Sequence, residues 1–184
     1  DLDALSEDLL KRTVAFYFAS PANPQGAVAD RAYLARLHAL AQRHGFLVFN
    51  DECYSEIYST TPPAGMLEVS GPDFANAVVF HSLSKRSNLP GLRVGFVAGD
   101  RRFLKDFLEL RNVAAPQVPV PAQRVGIAAY NDEALVDDNS DMYRAKFDLA
   151  DQIIGDRYGY VRPAGGFFLW LNVSAQGGSE AATK

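Results

Sequence analysis

Four short polar clusters in this 184-residue chain hold side chains whose types and spacing suit chemistry. His81-Ser82-Leu83-Ser84-Lys85 places two hydroxyls and an amine within five positions. A lysine held among cations or in a dry pocket loses part of its proton affinity and can act as a neutral amine nucleophile. Its ordinary fate is a solvated surface charge. Asn50-Asp51-Glu52-Cys53-Tyr54 follows the apolar run Phe46–Phe49. A carboxylate leaving a buried strand is costly unless a cation of the protein or of a ligand pairs with it. A helix cap or a structural salt bridge is the plainer account of Asp51. Cys53 with His81 as base would make a cysteine nucleophile, but a lone cysteine beside a buried strand is ordinarily core. Asn23-Pro24-Gln25-Gly26 alone is a turn, since Asn and Gly tolerate tight conformations and Pro fixes φ. In Pro90-Gly91-Leu92-Arg93-Val94-Gly95-Phe96, the fork of Arg93 suits a phosphate or carboxylate, or a local acid. No metal set is apparent: His38 and His44, six apart on one helix, do not share a face. Neither GxxxxGK[ST] nor GxGxxG occurs after a strand.

The elements that must carry these clusters follow from periodicity. Thr13–Ala19 is aromatic and β-branched and runs into Pro21 and Pro24, which predicts a strand ending in a turn. Asp30 caps a predicted helix to about His44, with Tyr33, Leu37 and Leu40 on one face and Gly45 closing it. Phe46–Phe49, Ala77–Phe80 and Val94–Ala98 are continuous apolar runs, as expected of strands buried on both faces. Asp100 caps a further predicted helix through Val113, with Phe103, Phe107 and Leu110 inward. Buried strands between one-sided helices indicate an α/β fold, three layers around a mostly parallel sheet, with ligands beyond the carboxyl ends of the strands. Past Pro116 the texture changes. Pro119 and Pro121 break the chain, helices are predicted at 122–130 and 141–154, and a strand at Phe167–Val173. The polar stretch Ser174–Lys184 reads as loop. The division expected is 1–125 as part of a large domain and 126–184 as part of a smaller α+β one.

Composition excludes several classes. The net charge is −4, from 22 acidic and 18 basic residues scattered along the chain, so nucleic-acid binding is not the expected task. Apolar residues make up 48%, which excludes disorder over most of the chain. No apolar run is long enough to span a membrane. A single cysteine excludes an internal disulfide framework and fits a reducing, cytoplasmic compartment.

Taken in order, the four clusters resemble the pyridoxal-phosphate-dependent aminotransferases of class I/II, of fold type I. The family's Asn-Pro-x-Gly turn is matched by Asn23–Gly26, its Asp-x-x-Tyr by Asp51 and Tyr54, and its Ser-x-Ser-Lys by Ser82–Lys85. Arg93 keeps the family offset of eight beyond the lysine. Pro163-Ala164-Gly165-Gly166-Phe167-Phe168-Leu169-Trp170 is similar to the family's entry into its small domain. Asp51–Glu56 and Ser84–Gly91 further resemble bacterial N-succinyldiaminopimelate aminotransferases of lysine biosynthesis.

The resemblance implies pyridoxal 5'-phosphate as cofactor, an amino acid and a 2-oxo acid such as 2-oxoglutarate as substrates, and a homodimer. It implies Lys85 as the Schiff-base lysine and proton carrier, and Asp51 as partner of the pyridine nitrogen. Tyr54 and Asn23 would bond the ring hydroxyl, with Asn23 also reaching the substrate carboxylate. Ser82, Ser84 and Arg93 would hold the phosphate. The same lysine and aspartate serve β-lyases, α-oxoamine synthases and cofactor-binding regulatory domains, which stand as alternatives. The family's ring-stacking aromatic, helix-terminal phosphate site and partner-subunit tyrosine precede its Asn-Pro turn by more than the 22 residues here, and its carboxylate arginine follows its small-domain strand. The chain is therefore expected to be a fragment, inactive when made alone.

Overall fold

The structure, a computed structural model, describes residues 1–114 and 117–182. Helix α1 (Glu7–Arg12) begins at Ser6, whose hydroxyl accepts from Leu9 N. Strand β1 (Ala15–Ala19) follows, then helix α2 (Arg31–His44). Asp30 caps α2 by accepting from Tyr33 N at 2.7 Å, and Gly45 ends it at φ 77°, where a Cβ would be strained. Strands β2 (Leu47–Asp51), β3 (Ala77–Ser82) and β4 (Gly95–Gly99) complete a four-stranded sheet in the order β1-β2-β3-β4. The first three strands are parallel and β4 runs antiparallel to β3.

Alternation splits the sheet into two faces. On one, Val48, Ala77 and Val79 meet Leu34, Leu37 and Ala41 of α2, with Phe16 and Phe18 at the margin. On the other, Phe49 makes edge contacts with Tyr17 and Phe80 and packs at 5.0 Å on Phe103 of helix α4 (Arg101–Ala114). A single-turn helix α3 (Leu83–Arg86) lies between β3 and β4. Helices α5 (Val120–Tyr130) and α6 (Glu133–Ile154) follow α4, and the short α7 (Ser179–Ala182) is last. Helices on both faces of a mostly parallel sheet make the α/β layering expected from the apolar runs.

Several elements differ from the sequence reading. Gly95 and Phe96 of β4 are exposed, because no described strand pairs with its outer side. Leu110 is 61% exposed although α4 packs through Phe103 and Phe107. Helix α6 begins eight residues before 141, at Glu133 with Asp132 as cap. Two positions of its inward stripe, Asn139 and Ser140, are polar, so the apolar period is broken where the helix continues. Pro121 sits in the first turn of α5, where its missing N–H leaves nothing unpaired. Phe167–Val173 is not a strand: the isolated bridge Tyr58–Gly165 stops short of it, and no described strand pairs with it. The polar stretch contains a 3₁₀ turn (Ser174–Gln176) and α7. Pro116 and the end of that stretch, Thr183 and Lys184, lie outside the described residues.

Asp100 joins β4 to α4. Its carboxylate accepts from Asn76 N, Arg102 N and Phe103 N at 2.8–3.1 Å. Burial pushes this carboxyl up, but the three backbone N–H bonds and the Arg102 charge outweigh it, so it lies below its ordinary value. A depressed carboxylate stabilises the fold above its unfolded pKa, about 3.9, and the gain disappears as pH falls through the folded value. Asp100→Ala is expected to cost about 1–2 kcal/mol at pH 7 by urea denaturation. The gap to the parent should narrow as pH falls through the depressed folded value of this carboxyl; a gap that does not narrow in acid would show that charge is not the cause.

Candidate active site

Three of the four clusters emerge at the carboxyl ends of β1, β2 and β3, along one edge of the parallel part of the sheet. Asp51 is the last residue of β2 and is exposed; one oxygen accepts from Cys53 N at 3.0 Å. No ion pair to Asp51 forms among the described residues. Three positions on, Tyr54 is buried, and its hydroxyl accepts from Asn23 Nδ2 at 3.3 Å. Burial, then the charge of Asp51, push the Tyr54 phenol up against the opposing Asn23 bond, so it is protonated at neutral pH. Lys85 lies in α3 beyond β3, with Nζ 4.8 Å from the Phe167 ring and 5.8 Å from the Tyr54 ring. An amine over aromatic faces is held in place while half-buried. The structure thus brings Asn23, Asp51, Tyr54 and Lys85 around one strand edge.

The remaining predicted residues behave differently. Ser82 Oγ caps Ser84 N at 3.1 Å and pairs with Ser84 Oγ at 2.9 Å, so the two hydroxyls form one polar corner. Arg93 is exposed, in the left-handed conformation at φ 57°, and donates to Pro90 O at 2.9 Å. Its side chain lines an open groove with Phe80, Phe96 and Phe107. No bond joins it to Ser82 or Ser84.

Residues far along the chain supply what short motifs did not. Phe167 meets Tyr54 edge-on at 5.3 Å and stacks on Tyr143 of α6 at 5.0 Å. Phe168 packs beside Phe167 at 4.8 Å and also meets Tyr54 edge-on, at 6.1 Å. They arrive because the preceding turn is pinned: Ser59 Oγ donates to Pro163 O, Ser59 N to Ala164 O, and Gly165 N to Gly26 O. The approach is so close that a Cβ on Gly26, which has φ 70°, would lie 2.3 Å from Pro163 Cβ. That is why the Asn-Pro turn ends in glycine. The sequence signal for Phe167 is the stretch Pro163–Trp170, with its Gly165-Gly166 pair, that resembles the family's entry into its small domain.

The cysteine-nucleophile alternative fails on geometry. His81 Nε2 is 3.1 Å from Glu52, and the His81 ring stacks on Phe96 at 4.9 Å. Glu52, 6% exposed, also accepts from Asn50 Nδ2 and Met66 N. Cys53 Sγ faces the Phe80 carbonyl at 3.9 Å instead.

Comparison with known proteins identifies the family. The family model described as Aminotransferase class I and II matches residues 1–184. A 4-dedimethylamino-4-oxo-anhydrotetracycline transaminase of Streptomyces rimosus is 36% identical over 154 residues, covering 82% of this chain and 43% of that protein. An aminotransferase structure from Neisseria meningitidis superposes with a TM-score of 0.90 at 39% identity, over 99% of this chain and 47% of its own. A probable N-succinyldiaminopimelate aminotransferase from Thermus thermophilus gives 0.86 at 25% identity, over 93% and 46%. The chain spans less than half the length of each of these proteins.

Burial, reinforced by the Asp51 bond and charge and only partly opposed by Lys85, pushes the Cys53 thiol up to about 12. Such a thiol is almost wholly protonated at pH 8. Cys53 is expected to resist iodoacetamide in the folded protein and to react once urea is added. Cys53→Ala should leave turnover within a few fold; its loss with cofactor still bound would restore a role for the thiol.

Proposed function

Because the chain belongs to the aminotransferase class I and II family, whose members depend on pyridoxal phosphate, we propose that it carries the central residues of a transaminase. One observation carries the reading: the Lys85 amine stands beyond β3 on the rings of Tyr54 and Phe167, beside the β2 terminus that bears Asp51. The donor set fits the cofactor. It offers an amine for an aldehyde, a carboxylate for a ring nitrogen, a phenol and an amide for a ring hydroxyl, and paired serine hydroxyls for a phosphate. When bound, pyridoxal phosphate supplies the electron sink.

Each residue then has a task. Lys85 Nζ would hold the cofactor through its aldehyde carbon and, as a free amine, would take and return the proton at the substrate Cα. Asp51 keeps the ring nitrogen protonated. Tyr54 and Asn23, already paired, hold the ring oxygen, and Asn23 also contacts the substrate carboxylate. Ser82 and Ser84 bind the phosphate with Arg93 as its charged clamp. Arg93 takes that role only by leaving the Pro90 carbonyl. The division proposed is 1–125 in the cofactor domain and 126–184 in a smaller one, with Phe167 crossing from the second to the lysine of the first.

The reaction proposed for the whole protein moves an amino group between an amino acid and a 2-oxo acid such as 2-oxoglutarate, in a cytoplasmic homodimer. The amino donor proposed is N-succinyl-LL-diaminopimelate. The likeness of Asp51–Glu56 and Ser84–Gly91 to enzymes of that type, and the name of the Thermus relative, support it.

Borohydride reduction of the cofactor-loaded protein, followed by peptide mapping, should place the pyridoxyl label on Lys85. A label on Lys105 or Lys146 would overturn the assignment. Asp51→Asn keeps volume and removes the charge; transamination should fall on the order of 10² to 10³, as expected for a loss of about 3–4 kcal/mol of stabilisation. Near-normal turnover in that variant would remove Asp51 from the chemistry.

A further inference from the structure

Lys85 sits in an element that cannot hold itself. Helix α3 is one turn long, and a single turn orders several residues for very little hydrogen bonding. Its start is secured by Ser82 Oγ on Ser84 N and by Leu83 N on Val94 O. Its end is not continued. The N–H that would serve the Lys85 carbonyl in a longer helix belongs to Leu89, and Leu89 N donates to Leu83 O instead, as does Ser87 N. The Lys85 carbonyl is thus an orphaned helix-end acceptor beside a half-buried amine.

Asn139 fills that vacancy from 54 residues away. Its Nδ2 donates to Lys85 O at 2.9 Å, and the residue is 6% exposed, in the inward stripe of α6. An apolar residue there would continue the helix pattern; the amide is the exception, and it is aimed at the one backbone acceptor that α3 leaves open. Arg86, the next residue along from the lysine, grips the same pair of helices. Its guanidinium donates to Ala129 O at 2.9 Å and Tyr130 O at 3.4 Å, the last two carbonyls of α5. It pairs with Glu133 in the first turn of α6 and lies 5.4 Å from the Tyr130 ring. A cation at a helix C-terminus and an anion at a helix N-terminus are both favoured there. The side chain of Arg86 is 13% exposed, so this is an embedded clamp rather than a rim contact.

We propose that Asn139 and Arg86 are positioning residues that fasten the Lys85 turn to the α5–α6 elbow and thereby set where the Lys85 amine stands. The inference rests on the reading of Lys85 as the cofactor-binding amine. A reacting group must be held within about 0.5 Å and 10–20° of its working geometry, and a displacement of about 1 Å can cost about 10²-fold in rate. Ser82 fixes only the entry to the turn. Asn139 fixes the peptide plane that leaves Lys85, and Arg86 fixes the residue after it. The same helix α6 carries Tyr143, on which Phe167 stacks beneath the amine. Backbone and amine of Lys85 are therefore referred to one rigid element.

The test uses the complete cofactor-loaded protein and two variants, Asn139→Leu, which keeps volume and removes the amide, and Arg86→Lys, which keeps charge and removes the fork. Four readouts are taken: kcat, KM, the pH midpoint of the bound cofactor's visible absorbance, and thermal stability. Both variants should lower kcat about tenfold or more with KM within about twofold, and displace the absorbance midpoint. Asn139→Gln, which restores a donor, should recover part of the loss. A fall in thermal stability with kcat and midpoint unchanged would make the contacts structural only and overturn the inference, as would unchanged values throughout. If Asn139→Leu does not fold, Arg86→Lys alone decides by the same readouts. The borohydride label separates the two readings. A parent protein labelled on Lys85 whose variants turn over normally defeats the positioning role alone. A parent not labelled on Lys85 defeats the proposed function and the positioning role together.

Discussion

The parallel pairing of β2 with β3 is the constraint on which the rest of the site depends. In the register Asp51↔Phe80, the carboxylate leaves β2 just as β3 has two residues still to run. The lysine turn therefore begins at Leu83, three residues past the level of the carboxylate, on the same edge of the sheet. Antiparallel strands would send these two ends to opposite edges. Parallel strands require buried faces, and the two aromatic and aliphatic layers supplied by α2 and α4 provide them. The pairing is stiffened where the chemistry begins: Glu52 N donates to Phe80 O, and the Glu52 carboxylate reaches His81 across the two strands. Glu52 is thus spent on the sheet, which leaves Asp51 as the acidic group facing outward at that strand end.

What was legible in the sequence and what was not divide along the range of the interactions. The ends of α2 were readable because capping is local: Asp30 acts three residues away and Gly45 on its own backbone. The strand cores were readable because burial on two faces leaves a continuous apolar run. The grouping of Asn23, Tyr54, Asp51 and Lys85 was readable because each follows such a run. The contacts of Phe167, Tyr143 and Asn139 were not. Their partners lie 24 positions away for Tyr143 with Phe167, 54 for Asn139 with Lys85 and 113 for Phe167 with Tyr54, and an aromatic or a polar residue has many ordinary uses that do not announce such a partner. The strand expected at Phe167–Val173 failed for a related reason. β-propensity describes a surface that fits a sheet but does not supply the neighbouring strand.

Arg93 marks a different limit. Its offset from Lys85 is a property of the sequence, while the direction of its guanidinium is decided by its surroundings. A left-handed backbone at a non-glycine residue carries a local cost, and here the Arg93 side chain folds back on the Pro90 carbonyl within its own turn. An exposed arginine held by one neutral acceptor is weakly committed, because a dianionic phosphate offers two charge-assisted bonds in place of one ordinary bond. The paired serines at Ser82 and Ser84 are similarly satisfied by each other. Both elements proposed for the phosphate therefore rest in self-contained contacts, whereas Asn23 and Tyr54, proposed for the ring oxygen, already hold one another.

This asymmetry follows from where each group is anchored. The ring side is enclosed by the Asn-Pro turn, the Pro163–Gly166 turn and the two phenylalanines after it. Those turns are locked by close glycine contacts that admit no side chain at Gly26 or Gly165. The phosphate side lies toward β4, whose outer side is unpaired among the described residues and whose Phe96 is 46% exposed. The contrast is one of local contacts: interlocking turns and rings surround Tyr54 and Lys85, whereas Ser82, Ser84 and Arg93 are held by bonds within their own short segments.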